Sequence, residues 1–164
     1  MQVICSDTNI WIDFQYLNRI EWPFLLEYTY IISRWALEDE FLSPIHQTPL
    51  LEERGLMAVE LTDEELELFV SLREKYHRLS DYDTVALTIA KSRNIVLLTG
   101  DKALRNAATA EGVQPRGLLW ITDQLYSLQL ISQADHCSCM QELLNGLGNP
   151  YRYPRHEIEN RLNR

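Results

Sequence analysis

The chain has 164 residues, the length of one ordinary domain, and can bury a core without a disulfide or a structural metal. Hydrophobic residues make up 46% of it and charged residues 24%, which excludes a disordered chain, a collagen-like repeat and a coiled-coil rod. The net charge of -9, from 24 acidic and 15 basic residues, disfavours loose electrostatic adhesion to nucleic acid or to anionic lipid.

The first half of the chain alternates short apolar runs with stretches of helical periodicity. The predicted elements are a strand over residues 2–6, a helix over 9–17, a strand over 28–33, a helix over 35–42 and a short strand over 57–61. Asp7 follows the first strand directly, which predicts a strand, an acidic turn and a helix at the start of the fold. Pro44, Pro49 and Gly55 predict a break between the second helix and the third strand.

The second half continues the alternation and contains the clearest strand. The predicted elements are helices over 63–76 and 83–92, a strand over 95–99, and helices over 102–111, 118–131 and 134–147. Thr62, with Glu65 three residues later, begins like a capping box, and either Ser80 or Asp81 caps the next helix. The run over 95–99 is continuously apolar, which is typical of a parallel strand buried on both faces.

This alternation predicts an α/β fold, a three-layer α/β/α sandwich with a mostly parallel central sheet and a helical C-terminal extension. We expect the sandwich to cover residues 1–120 and the extension to cover 121–164, packed on the same domain or trailing from it. The six glycines are scattered, so nucleotide folds with a glycine-rich phosphate loop have no support.

Several features bear on the compartment of the protein. No apolar run reaches the roughly 18 residues of a membrane span, and the first residues lack the basic and apolar regions of a secretory signal. The three cysteines, Cys5, Cys137 and Cys139, are an odd number, and the last two are too close in sequence for an easy bridge. We therefore expect a cytoplasmic protein with free thiols and no membrane partner. His136 with the last two cysteines could supply zinc ligands, but the second half of a usual zinc spacing is missing.

Acidic residues stand where the predicted sheet presents the ends of its strands. Asp7 follows the first strand and Asp101 follows the clearest one, and ligands of parallel sheets bind at this edge. Asp83 begins a helix, a position that stabilisation of the helix dipole would also explain. Carboxylates that converge raise each other's pKa unless a cation neutralises them, and hard oxygen ligands favour magnesium or manganese over zinc.

Two segments of the chain resemble the PIN-domain family. Residues 6–12 read Ser-Asp-Thr-Asn-Ile-Trp-Ile, which is similar to the opening PIN motif of an apolar strand, Asp-Thr-Asn or Asp-Thr-Ser, and an apolar helix. Residues 79–101 resemble the second half of the pattern, in which an acid opens a helix and a strand then ends in Thr-x-Asp. The two halves occur in the family's order and spacing, and the resemblance covers about residues 1–120.

PIN domains are metal-dependent nucleases, mostly ribonucleases, and many bacterial and archaeal members are toxins of toxin-antitoxin pairs. The resemblance therefore implies an RNA substrate, Mg²⁺ or Mn²⁺ as cofactor, and possible antitoxin and homodimer partners. It implies that Asp7, Asp83 and Asp101 bind the metal and act in catalysis, with Asn9 and Thr99 in supporting positions.

The family's remaining acid follows the second strand, where this chain has Glu38, Asp39 and Glu40. We favour Glu40, because Phe41 supplies the apolar residue that follows the acid in the family pattern, whereas counting from the strand end gives Asp39. Without the resemblance, this run of acids indicates a helix face exposed to solvent. Asp81 is either an auxiliary metal ligand or a helix cap.

Two further interpretations concern residues outside these motifs. Asp13, on the first helix, is predicted to face solvent. The C-terminal tail is locally basic, since four arginines outnumber two glutamates. One interpretation is that the tail contacts RNA or a protein partner, and the other is that it forms a solvated helix. Its basic residues are Arg152, Arg155, Arg161 and Arg164.

The motifs leave three functional hypotheses. The first is a ribonuclease of the PIN type, in which metal-activated water attacks the phosphodiester without a side-chain nucleophile. The second is a catalytically silent PIN scaffold that binds RNA or a protein partner, because loss of one ligand can abolish metal binding. The third, a phosphatase or phospho-acceptor domain, is weakened because Asp7 is followed two residues later by Asn9 where such phosphatases have a second aspartate.

Overall fold

The computed structural model describes residues 1–39, 47–146 and 153–164. Within these ranges the strands form one parallel sheet in the order β3-β2-β1-β4-β5. The strands are β1 (Gln2–Ser6), β2 (Tyr28–Ser33), β3 (Met57–Val59), β4 (Val96–Leu98) and β5 (Pro115–Arg116). The helices are α1 (Thr8–Tyr16), a 3-10 helix (Trp22–Leu25), α2 (Arg34–Asp39), α3 (Gln47–Glu53), α4 (Asp63–Lys75), α5 (Asp81–Arg93), α6 (Lys102–Ala110), α7 (Leu118–Ser127), α8 (Gln133–Leu144) and α9 (Arg155–Leu162).

The sheet separates two hydrophobic cores, because successive residues of a strand point to opposite faces. On β1, Ile4 belongs to one core together with residues of α1, α7, α8 and α9. Its neighbour Cys5 belongs to the other core, together with residues of α4, α5 and α6. This arrangement confirms the predicted three-layer α/β/α sandwich. Within the described residues, none of the helices is both long and apolar enough to cross a membrane.

Three elements were not predicted from the sequence: α3, β5 and the 3-10 helix. The expected break at Pro49 was wrong, because proline at the third position of α3 removes only an N–H that has no partner in the first turn of a helix. β5 spans two residues and contains Pro115, so its sequence lacks a strand pattern. Residues 40–42 of the predicted second helix lie outside the described residues.

The capping box at the start of α4 forms only in part. Thr62 Oγ1 accepts a hydrogen bond from the backbone N–H of Glu65 at 3.1 Å, as predicted. The Glu65 carboxylate, however, is buried and accepts two hydrogen bonds from Arg93, at 3.0 and 3.2 Å. Because Arg93 lies on α5, the Glu65 carboxylate links α4 to α5 instead of capping the N-terminus of α4.

The C-terminal helices pack on the core that contains Ile4. Met140 from α8 and Ile158 from α9 are both buried in that core. Asp13 was wrongly predicted to face solvent: it is 2% exposed, and the Tyr153 hydroxyl donates a hydrogen bond to its carboxylate. The tail is thus hydrogen-bonded to α1 through Tyr153. The division into residues 1–120 and 121–164 stays a prediction, although α7 runs across that position.

Replacing His136 by Phe should flatten the dependence of stability on pH. His136 is buried, its ring stacks on Tyr126 at 4.8 Å, and among the described side chains its Nε2 finds no hydrogen-bond partner. Burial lowers its pKa below the usual 6.5, so the unfolded chain takes up a proton before the folded chain does, and stability is lost as the pH falls below 6.5.

The measurement is the melting temperature between about pH 7 and pH 5. The wild type should lose stability over this interval, and His136→Phe should lose less. His156→Phe is the matched control, because His156 is exposed on α9. Equal pH dependence in all three proteins would contradict the assignment to His136.

Candidate active site

Asp7 is held at the junction of β1 and α1. Its backbone N–H donates to the Leu98 carbonyl of the neighbouring strand β4 at 3.0 Å, which extends the pairing of the two strands by one residue. Its Oδ1 accepts from the backbone N–H of Ile10 at 3.1 Å, so Asp7 is the N-cap of α1. The side chain is thereby fixed at the carboxyl edge of the sheet, where it is 5% exposed.

Thr99 connects Asp7 to Asp101. Its Oγ1 donates a hydrogen bond to Asp7 Oδ2 and accepts one from the backbone N–H of Asp101 at 3.1 Å. Thr99 is fully buried at the end of β4, next to β1 in the sheet. The hydroxyl bonds to Asp7 across 92 positions of sequence and thereby links the two acids, as expected for residues that follow adjacent parallel strands.

Asp101 is the N-cap of α6. Its Oδ1 accepts from the backbone N–H of Leu104 at 2.8 Å. Asp7 and Asp101 therefore occupy equivalent positions, each after a strand and each at the N-terminus of a helix. Helix N-termini favour negative charge, so both positions suit an acidic side chain.

Asp83 lies in the first turn of α5 and interacts electrostatically with Asp101. Burial and the nearby Asp101 carboxylate raise the pKa of Asp83 above its ordinary value, and hydrogen bonds with Ser80 partly oppose this shift. Asp83 and Asp101 are therefore close enough for mutual repulsion. A divalent cation between two such carboxylates would remove that repulsion.

The three adjacent acids after β2 have different surroundings. Glu38 is exposed and lies 4.0 Å from Arg34 on its own helix. Asp39 is also exposed, but its Oδ2 accepts a hydrogen bond from the Tyr82 hydroxyl at 3.2 Å. Tyr82 directly precedes Asp83 in the sequence. Glu40 lies outside the described residues. The structure thus brings Asp39 to the start of α5, and the choice of Glu40 over Asp39 stays a prediction.

Two other candidate residues lie at the starts of helices. Asp81 forms an ion pair with Arg73 of α4, and Ser80 is the N-cap of α5, since its Oγ accepts from the backbone N–H of Asp83 at 3.1 Å. The interpretation of Asp81 as the cap was therefore wrong. Asn9 is half-buried in the first turn of α1, beside Asp7. Its supporting role stays a prediction, as does the role of Asp81 as an auxiliary ligand.

The donors at this edge are carboxylate and hydroxyl oxygens, which suit a hard divalent cation. Over residues 1–39, 47–146 and 153–164, no three His, Cys, Asp or Glu side chains form a group that could hold a metal ion. Magnesium, however, is commonly held by one or two carboxylates, with waters and substrate phosphate completing its shell. Asp83 and Asp101 fit this requirement.

A cleft beside Asp101 was not predicted from the sequence. It has a volume of about 760 Å³ and includes Lys102 and Arg105 of α6, Arg116 of β5 and Trp120 of α7. Arg116 lies on β5, and the sequence of this short strand contains no strand pattern. The local excess of basic residues over positions 102–116, three against the single acid Glu111, was the available signal.

Replacing Thr99 by Val should reduce the stability of the protein. Valine has nearly the same shape, but it removes the hydrogen bond to Asp7 and leaves the Asp101 N–H without this acceptor. We expect a loss of about 1–3 kcal/mol in the free energy of unfolding, measured by thermal melting. Thr99→Ser should restore most of this stability, and a Val variant as stable as wild type would contradict the role of the hydroxyl.

Comparisons with known proteins identify the family of the chain. No curated protein matches the chain. Among solved structures, the chain is similar to a PilT N-terminus domain protein from Sulfolobus solfataricus P2, with 16% identity, a TM-score of 0.45, and coverage of 74% of this chain and 90% of that one. The DUF3368 family model, described as a PIN domain, matches residues 3–163. The chain therefore belongs to the PIN-domain family.

Proposed function

We propose that the chain is a divalent-metal-dependent ribonuclease that hydrolyses RNA phosphodiester bonds at the edge formed by Asp7, Asp83 and Asp101. PIN domains are generally nucleases, which gives the broad class. One observation carries the finer proposal: the Thr99 hydroxyl links Asp7 to Asp101 across two neighbouring strands. The pKa of Asp83, raised by burial and by the Asp101 carboxylate, supports adding Asp83 to the same edge of the sheet.

The acids have distinct tasks in this proposal. Asp83 and Asp101 hold the cation, since their mutual repulsion is relieved by positive charge. Asp7, fixed by its bonds to Ile10 and Thr99, presents a carboxylate beside them. A bound Mg²⁺ or Mn²⁺ would lower the pKa of a water molecule and stabilise negative charge on the phosphate. Glu40, or Asp39 beside Tyr82, completes the set from the end of the second strand.

Cleavage of a mixed panel of structured and single-stranded RNAs tests this function. The purified protein is assayed with manganese, with magnesium and with chelator. We expect cleavage with either metal and none with chelator. Asp83→Asn keeps the shape of the side chain but removes its charge, so cleavage should fall by about 100-fold or more, since several kcal/mol of transition-state stabilisation are lost.

Asp135→Asn is the matched control, because Asp135 stands in the first turn of α8 as Asp83 does in α5, and in both the backbone N–H donates to a serine N-cap. Asp135 is exposed and belongs to none of the candidate sites, so this variant should cleave RNA about as well as wild type. Full metal-dependent cleavage by Asp83→Asn would refute the assignment of the site.

The catalytically silent module makes a different prediction in the same experiment. A silent scaffold would show no cleavage, no saturable metal binding and no thermal stabilisation by manganese. This outcome would replace the ribonuclease by a module that binds RNA or protein. A toxin role, an antitoxin partner and a homodimer are further proposals that rest on the family alone.

A further inference from the structure

Most cations of the described chain are neutralised by carboxylates. Acids outnumber basic residues by 24 to 15, so carboxylates are abundant as ion-pair partners for the Lys and Arg side chains. The cations within 4.0 Å of a carboxylate are Arg19, Arg34, Arg73, Lys75, Lys91, Arg93, Arg155, Arg161 and Arg164. Among the residues that the structure describes, the basic side chains without such a partner are Arg54, Arg78, Lys102, Arg105 and Arg116.

Three of these five unpaired cations line one cleft. Lys102, Arg105 and Arg116 face the space of about 760 Å³ that also includes Asp101. We call this space the basic cleft and define it by these three residues and Trp120. We call the edge of the sheet with Asp7, Asp83 and Asp101 the acidic edge. In a chain of net charge -9, a concentration of unneutralised cations next to this edge indicates a binding site for an anion.

Two of the three cations are held in place by the fold. Arg105 Nη1 donates to the Thr99 carbonyl at 3.0 Å, and a Cβ atom at position 117 would lie 3.1 Å from the same nitrogen, so Gly117 makes room for the guanidinium. The Arg116 guanidinium lies over the Trp120 ring at 5.7 Å. Trp120 in turn stacks on Tyr28 at 5.6 Å. These contacts position the guanidinium groups before any ligand binds.

The acids of the cleft do not cancel this charge. Asp123 accepts two hydrogen bonds from Arg161, at 2.9 and 2.7 Å, so this pair is neutral by itself. Glu157 is 3.9 Å from the same arginine. Asp101 belongs to the acidic edge already described. Apart from the Asp123–Arg161 pair, three cations therefore face the cleft against two acids, Asp101 and Glu157.

We propose that the basic cleft binds the phosphodiester backbone of single-stranded RNA next to the bond that is cleaved. The inference rests on the proposed function and adds the surface that holds the substrate. Arginine guanidinium groups match the geometry of phosphate oxygens, and a single strand can bend its backbone along a groove. Asp101 lines the cleft, so a strand bound there leads directly to the acidic edge.

The test is the binding of a fluorescein-labelled single-stranded oligouridylate, measured by anisotropy at several salt concentrations. Binding is measured in chelator, and again with Ca²⁺, and does not depend on cleavage. Each phosphate contact with single-stranded nucleic acid contributes about 0.7 to the slope of log affinity against log salt. Lys102→Gln with Arg116→Gln should therefore lower the slope by about 1.4 and weaken binding severalfold.

Arg54→Gln with Arg78→Gln is the matched control, because it removes two unpaired cations outside the cleft. This variant should bind like wild type, and Glu157→Gln should bind more tightly. Equal slopes for all proteins, an equal loss in both double variants, or no binding by wild type in either buffer would overturn the inference. Intact salt-dependent binding without metal-dependent cleavage would instead overturn the proposed function and leave the basic cleft as an RNA-binding surface.

Discussion

Replacing Asp101 by Asn should lower metal-dependent cleavage of RNA by about 100-fold or more while leaving the fold intact. Asparagine caps helices about as well as aspartate, so the hydrogen bond from Leu104 to Oδ1 and the start of α6 are retained. Only the charge is lost. Removing this charge also removes one cause of the raised pKa of Asp83.

Comparison with Asp101→Ala separates the charge from the cap. The alanine variant should lose cleavage to the same extent and, in addition, about 1 kcal/mol in the free energy of unfolding, because the helix loses its cap. Asp7→Asn should behave like Asp101→Asn, since Asp7 caps α1 in the same way. Cleavage by Asp101→Asn at the wild-type rate would show that the carboxylate is a cap and no more.

Replacing Trp11 by Ala should produce the largest loss of stability. Trp11 is fully buried, stacks on Phe24 at 5.1 Å, and meets the edge of Tyr30 at 5.4 Å. Its Nε1 donates to Ser6 Oγ at 2.9 Å, next to Asp7. Truncation of a buried tryptophan costs about 3–5 kcal/mol, which corresponds to a fall of about 6 to 20 °C in the melting temperature.

Trp35→Ala is the control for this measurement. Trp35 is 41% exposed and packs mainly on Tyr82, so its removal should shift stability by less than about 1 kcal/mol. Thermal melting of both variants in chelator gives the comparison without any contribution from a metal. Similar shifts for the two tryptophans would contradict the assignment of Trp11 to the core beneath the site.

The sequence was sufficient for the elements that carry strong local signals. The apolar run that contains β4 follows from periodicity, and a helix capped by either Ser80 or Asp81 follows from capping, since both signals act over a few residues. The positions of Asp7 and Asp101 could be predicted because both follow strands of a parallel sheet. Their connection through the Thr99 hydroxyl depends on which strands are neighbours, and periodicity does not carry that information.

Other features depend on contacts between distant segments. Asp13 stands on a helix surface that would face solvent in an isolated helix, but in the folded chain it is buried and accepts a hydrogen bond from Tyr153 of the tail. Likewise, Asp81 is indistinguishable from a ligand or a cap in the sequence, until α4 places Arg73 beside it. The basic cleft needs α6, β5 and α7 to meet, so its cations look scattered along the chain.

The order of the strands has a consequence for synthesis of the protein on the ribosome. β1 is made first but lies in the middle of the sheet, between β2 and β4. The Asp7 backbone and carboxylate both bond to residues of the β4 segment, Leu98 and Thr99. The emerging chain therefore lacks the acidic edge until that segment has left the ribosomal tunnel and paired with β1. Under the proposed function, the edge that would cleave RNA is completed only after residue 99 has been made, so the partly synthesised chain leaves its own messenger uncut.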